Sequence, residues 1–318
     1  MIKAEELTKY YGQKCALDHV SFEIKKGEVV GLLGPNAAGK TTTMRILTGY
    51  FPPTSGKATV AGFDMSSDPL SARKKTGYLP ESVPLYMDMT VEEFLFFAAE
   101  AKGLKGGTIK ERVKKVIEEC NLPEYASKQI KTLSKGYKQR TGLAQAIIAS
   151  PEVLILDEPT VGMDPNQVIE IRDIIRRLSE NSTIILSSHI LEEIAKTCSR
   201  IIIMNRGKIL ATGTPEKLSE QMEKSDKIYF ELKGDKDKAA GIISSEKGIS
   251  SCRITEDEKA DNGSFGIEAI SEKSPEIRSR IIKALAEADI DIYQMKLEKM
   301  NLEQIFTEIV KKGGTEKK

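Results

Sequence analysis

Gly34-Pro35-Asn36-Ala37-Ala38-Gly39-Lys40-Thr41 satisfies G-x-x-x-x-G-K-[ST], with the apolar run EVVGLL leading into it and the helix-prone run KTTTMRILTG leading out. Strand, glycine-rich loop and helix, in that order, form the context in which this spacing holds phosphate. Consecutive backbone N–H groups wrap the anion, and the helix N-terminus adds partial positive charge. In this reading Lys40 places its ammonium at the β- and γ-phosphates, the Thr41 hydroxyl ligates Mg²⁺, and Thr42 caps a phosphate through its hydroxyl or N–H. Taken alone, the motif says only that a nucleoside triphosphate is bound. It does not separate kinases, GTPases, motor ATPases and transporters.

Working outward, Val153-Leu154-Ile155-Leu156-Asp157-Glu158 is an apolar strand that delivers two acids at its C-terminal end, where open α/β sheets bind ligands. Asp157 suits a water-mediated contact to Mg²⁺, and Glu158 suits a general base acting on the attacking water. Asp164-Pro165 then opens a helix as N-cap and first residue, with Val168, Ile171, Ile175 and Leu178 on one face. IKAEEL, HVSFEI, KATVAG, KTGYLP, TIILSS, RIIIM and KILATG read as further strands. Their alternation with helices predicts a largely parallel α/β core.

Residues 90–149 read as a helical insertion. Thr90 with Glu93, and Thr108 with Glu111, form capping-box patterns that open two helices, and a third runs from about Gly136 to Ala149. Near residue 222 the sequence turns polar (QMEKSDK), dividing the chain into 1–221 and 222–318. The second part reads strand, helix, strand, strand, helix, strand, with a last helix at NLEQIFTEIVKK. That βαββαβ order resembles a ferredoxin-like module.

A length of 318 residues suits one large and one small domain, and 40% hydrophobic with 30% charged residues fits a globular chain with an ample core. A net charge of +1 provides no overall field toward nucleic acid or anionic lipid. Cys15, Cys120, Cys198 and Cys252 are scattered without paired spacing, which argues against disulfides or zinc and for a reducing compartment. No uncharged apolar stretch reaches the roughly 18 residues of a membrane span, so any pore is expected on another chain.

Leu133-Ser134-Lys135-Gly136-Tyr137-Lys138-Gln139-Arg140 narrows the class, because it resembles the signature motif of ATP-binding-cassette (ABC) proteins. By itself the run also reads as an ordinary helix N-terminus capped by Ser134. The resemblance implies that Ser134 and Gly136 grip the γ-phosphate of a nucleotide held by a second protomer. It also implies that Tyr11 stacks on the adenine, with Tyr10 a competing candidate. Gly162, Met163 and Asp164, after Val161, resemble the loop that crosses the dimer interface. His189 resembles the switch histidine that reaches the γ-phosphate and the attacking water. The resemblance covers about residues 3–215.

Three positions depart from the family pattern. Ala37 stands where glycine is usual, and a positive φ there costs about 1 kcal/mol. Lys135 replaces the second glycine of the signature. Glu81 stands where a metal-touching glutamine is common, and as a hard oxygen donor it is expected to keep that role. PE-x-x-PLY, KGYKQR and the ending Leu302-Glu303-Gln304-Ile305-Phe306 resemble a subgroup exporting drugs, lipids or polysaccharides, some linked to gliding motility. In the helix from 90, Val91, Phe94, Leu95 and Ala98 form the core stripe, and Phe96 falls nearly opposite. Phe96 is then either an exposed contact for a membrane subunit, beside Tyr86, Met87 and Met89, or packed on a neighbouring helix.

The resemblance therefore implies an α/β P-loop NTPase core of ABC type, to which the element order after residue 222 adds a small α+β C-terminal domain. It implies an ATPase using ATP and Mg²⁺, working as a homodimer with a separate integral-membrane permease. Such a chain is expected to be cytoplasmic, peripheral on the inner membrane face, and without nucleic acid as partner. A ribosome- or DNA-directed ATPase and a small-molecule kinase are the rival classes. The first would carry paired cassettes or long coiled coils, and the second needs no signature motif acting across a dimer.

Overall fold

The computed structural model describes residues 1–222, 225–255, 264–272 and 274–298. They fall into two compact units, divided between Pro215 and Glu216. Among the described residues no helix is long and apolar enough to cross a membrane.

The first unit opens with strands β1 (Ile2–Tyr11), β2 (Lys14–Ile24) and β3 (Val29–Leu33), followed by helix α1 (Lys40–Leu47). Next come β4 (Ser55–Val60), β5 (Phe63–Asp64), α2 (Pro69–Lys74) and β6 (Thr76–Leu79). The helical insertion supplies α3 (Val91–Ala101), α4 (Thr108–Glu119) and α5 (Lys135–Ile147). The unit continues through β7 (Val153–Leu156), α6 (Pro165–Ser179), β8 (Thr183–Ser188), α7 (Leu191–Thr197), β9 (Arg200–Asn205) and β10 (Lys208–Gly213). Helix α8 (Pro215–Met222) follows and belongs to the second unit from Glu216 on.

Two sheets share the first unit. The larger has the order β10-β9-β3-β8-β7-β6 and is parallel except at β10, as the alternation predicts. The smaller, β2-β1-β4-β5, is antiparallel. Strands β1, β2 and β4 were expected, but the short β5 and the separate pairing were not, because the partners of β1 are set by a contact with β4 some fifty residues away. One core joins both sheets to α1: Leu7, Val20 and Val60 meet Leu32, Ile155 and Ile202 around Met44 and Leu47. Burial of all five residues of β3 explains its continuous apolar run.

Register places the strand ends that matter. β3 lies beside β8 with Leu33 opposite Ser188, and β7 lies on the other side of β8 with Leu156 opposite Leu186. The residues after β3, after β7 and at the end of β8 therefore emerge together at one edge of the sheet.

Thr90 and Glu93 form both bonds of the capping box at α3. The pattern at Thr108 does not: Gly107 is the N-cap of α4, and the Thr108 hydroxyl bonds back to the Lys105 carbonyl. Thr108 is already inside the helix, so its side chain cannot act as the cap. Phe94 and Leu95 are buried in α3 as expected, but Phe97 rather than Phe96 is the exposed aromatic. Phe96 is half-buried although it falls nearly opposite the core stripe, so neighbours rather than periodicity decide which one is covered.

The second unit contains β11 (Ser225–Lys233), α9 (Lys236–Ser245), β12 (Ile249–Thr255), β13 (Phe265–Glu272), α10 (Pro275–Glu287) and β14 (Asp291–Glu298). Its sheet has the order β12-β13-β11-β14 and is antiparallel throughout. Ile228, Phe230 and Ile267 pack there on Ile243, Ile281 and Leu285 from the two helices. The final helix expected at residues 301–312, with Leu302 to Phe306, lies outside the described residues.

Candidate nucleotide site

A cleft of about 750 Å³ runs along the edge where β3 and β7 end. The loop between β3 and α1 forms its floor, contributing Asn36, Ala37, Ala38, Gly39, Lys40, Thr41 and Thr42. The loop turns sharply, with φ of 65° at Ala37 and 110° at Gly39. Glycine adopts such angles freely, whereas Ala37 carries a Cβ at about 1 kcal/mol. A Cβ at Gly34 would collide with the Met204 backbone, so that position tolerates no side chain. Pro35 is half-buried behind the loop. Lys40 lies folded along the loop, its Nζ donating to the Gly34 carbonyl at 2.7 Å.

The end of β7 brings the two acids in. Asp157 is buried, and its Oδ1 accepts hydrogen bonds from Ser187 Oγ at 2.6 Å and Thr41 Oγ1 at 3.3 Å. Burial pushes its carboxyl above the usual range, opposed by the hydroxyls of Ser187 and Thr41. Glu158 adopts the left-handed region at φ 47°, and its N–H donates to Ser187 Oγ at 2.9 Å. One carboxylate oxygen of Glu158 lies 3.3 Å from Lys40 Nζ and the other 3.0 Å from His189 Nδ1. The left-handed turn swings Glu158 away from the strand direction, so that consecutive acids point to different partners.

Thr41 and Glu81 line the cleft, with Asp157 directly behind Thr41. A hydroxyl and two carboxylates are hard oxygen donors of the kind that suits Mg²⁺. Among the described residues no cluster of three or more His, Cys, Asp or Glu makes a full metal cage.

Tyr11 lines the cleft and Tyr10 does not. The Tyr11 ring meets Phe51 edge-on, with centroids 5.8 Å apart, and remains substantially exposed. Ser134, at the start of α5, is exposed and makes no side-chain cap bond. Its expected partner Gly136 is buried against Gln167 of α6, where a Cβ would collide. Neither lines the cleft. Gly162 has φ 69° and abuts the Lys135 side chain, and Asp164 caps α6 through Asn166 N and Gln167 N at 3.1 and 3.0 Å. Met163 is half-buried between them. This loop also stays out of the cleft, except for Val161.

Sequence reasoning missed Ser187, which joins the two acids, and the cleft residues Lys14, Cys15, Ala16 and Arg206. The serine pair in TIILSS was the available signal, since a polar residue at the end of a buried strand needs a partner.

Residues 17–161 match the family model for ABC transporters. The linearmycin resistance ATP-binding protein LnrL of Bacillus subtilis is 34% identical over 96% of this chain and 97% of its own length. The bacitracin transport ATP-binding protein BcrA of Bacillus licheniformis is 32% identical over 99% and 98%. A dimeric bacterial ABC transporter cassette superposes with a TM-score of 0.63 at 26% identity, covering 67% of this chain and 98% of that one. Likeness over nearly the whole chain, joined to a phosphate loop facing a Glu–His pair, places this chain in the ABC transporter family as an ATP-binding subunit and ATPase.

Proposed function

We propose that two copies of this chain close on two Mg·ATP and drive a separate membrane permease for export. One observation carries the reading. The signature residues Ser134 and Gly136 lie outside the cleft that holds Lys40, Glu158 and His189, so both sets meet one nucleotide only if a second copy supplies one of them. The dimeric cassette among the similar structures supports this arrangement. Export is favoured by the resistance and bacitracin-transport roles in the names of the two relatives. The chain is then peripheral on the cytoplasmic face, and its partners are its own copy and the permease.

In this mechanism Tyr11 stacks on the base, and the loop N–H groups with Lys40 and Thr42 hold the phosphates. Thr41, Glu81 and Asp157 (through water) would hold Mg²⁺, which neutralises phosphate charge when bound. Glu158 accepts the proton of the attacking water, and His189 keeps the carboxylate oriented toward it. Ser134 and Gly136 of the second copy face the γ-phosphate, with Gly162, Met163 and Asp164 at the crossing. Hydrolysis removes the shared anion and reopens the pair.

Tyr86, Met87 and Phe97 form an exposed aromatic and thioether surface, with Tyr86 and Phe97 ring centroids 5.2 Å apart, that suits the permease contact. The order β12-β13-β11-β14 supports reading residues 222–318 as a ferredoxin-like accessory domain beside the 1–221 ATPase domain.

Glu158→Gln tests the core of this reading. Turnover should fall by about 10²-fold or more while ATP stays bound, and size-exclusion chromatography should show an ATP-dependent dimer. Turnover at the parental rate would remove Glu158 as base, and a monomer in saturating ATP would remove the closure mechanism.

A further inference from the structure

Arg206 occupies the turn between β9 and β10 and lines the nucleotide cleft. Its backbone sits at φ 46°, a region where an arginine is strained and glycine is preferred. The turn is nonetheless fixed on both sides. Gly207 N donates to the Ala38 carbonyl of the phosphate loop at 2.9 Å, and Gly207 O accepts from Asp18 N at 2.9 Å. A Cβ at Gly207 would press on the Ala16 backbone of β2, and one at Gly39 would come within 3.4 Å of Gly207, so the turn packs against both β2 and the phosphate loop.

The charges on this turn are treated differently. Lys208 pairs with Asp18 at 2.9 Å. Arg206, two residues upstream, is exposed and makes no hydrogen bond or ion pair with any described residue. An unneutralised guanidinium, held in a strained turn that is bonded to the phosphate loop, is positioned for an anionic partner in the same cleft.

We propose that Arg206 is a nucleotide-binding residue that contacts the phosphates of ATP by a charge-assisted hydrogen bond. It thereby adds to Lys40 a second fixed cation on the same polyphosphate, delivered from the far side of the loop. The proposal rests on nucleotide binding in this cleft. Because the contact is to phosphate, it is shared by ATP and GTP and is weakened by salt. It acts on binding, since neither Arg206 nor its turn is hydrogen-bonded to Glu158 or His189.

The test is titration calorimetry of the full chain with Mg·ATP, Mg·ADP and Mg·GTP, using Arg206→Ala, Arg206→Gly and Arg206→Lys. The glycine variant suits the positive φ, so its fold is secure where alanine remains strained. Alanine and glycine should each weaken ATP and GTP alike by about tenfold or more, with lysine retaining most of the affinity and high salt narrowing the difference. ATPase assays should show a raised KM at near-parental kcat. Unchanged affinity in the glycine variant would overturn the proposal. A changed ATP-to-GTP preference without a common loss would also overturn it, since the contact would then be to the base. Lys40→Ala separates the underlying reading, because unaltered binding there would remove the cleft itself as the nucleotide site.

Discussion

Ser187 Oγ donates to Asp157 Oδ1 at 2.6 Å while accepting the Glu158 N–H at 2.9 Å, so one hydroxyl positions both consecutive acids. Ser187 is fully buried at the end of β8. We predict that Ser187→Ala leaves the buried Glu158 N–H without its partner and Asp157 with only the longer Thr41 bond, and destabilises the fold by about 1–3 kcal/mol. Turnover should also fall, because Glu158 loses the bond that sets its backbone. Urea unfolding and steady-state ATPase assays read the two effects. Ser187→Thr, which keeps the hydroxyl, should recover much of both, and equal stability of Ser187→Ala and the parent would refute the role.

Asp157 gives a pH dependence of definite sign. Burial holds its folded-state pKa above the unfolded value, so the folded chain binds the proton more readily. Its contribution to stability is present below the unfolded pKa and is lost as pH rises through the folded pKa. In the absence of nucleotide, Asp157→Asn should therefore raise the unfolding midpoint at neutral pH, and its advantage should shrink as pH falls below both pKa values. A pH series of thermal melts checks this. An advantage that grew toward acid would contradict the assignment.

Phe97 tests the permease surface separately from the chemistry. Its ring is exposed beside Tyr86, on the helical insertion and away from the cleft. Phe97→Asp should leave ATP affinity and basal hydrolysis near parental values while sharply reducing recovery of the permease in membrane co-purification. Full recovery would move the docking contact elsewhere.

The phosphate loop, the acids of β7 and the histidine after β8 were legible because their chemistry is carried by short runs with fixed local geometry. Ala37, where the pattern usually has glycine, does adopt a positive φ. The capping pattern at Thr90 was equally readable, but at Thr108 the same spacing failed because Gly107 took the cap. Ser187 and Arg206 were not legible, since each gains its meaning from residues about thirty to 170 positions away. The pairing of β1 with β4 and the choice between Phe96 and Phe97 failed for the same reason. Periodicity gives a face, while only packing tells which flank is covered.

The cleft also contains a chemical reporter. Cys15 is exposed on its wall, whereas Cys120 and Cys198 are buried and their thiols are pushed up by burial, as is the thiol of Cys252. A thiol-directed alkylating probe should therefore label Cys15 first, and saturating ATP should slow that labelling, which mass spectrometry of the intact chain would quantify. Labelling at a nucleotide-independent rate would place the thiol outside the ligand's footprint. Otherwise a single native sulfur serves as an occupancy gauge, recording how long each copy keeps its fuel without any introduced tag.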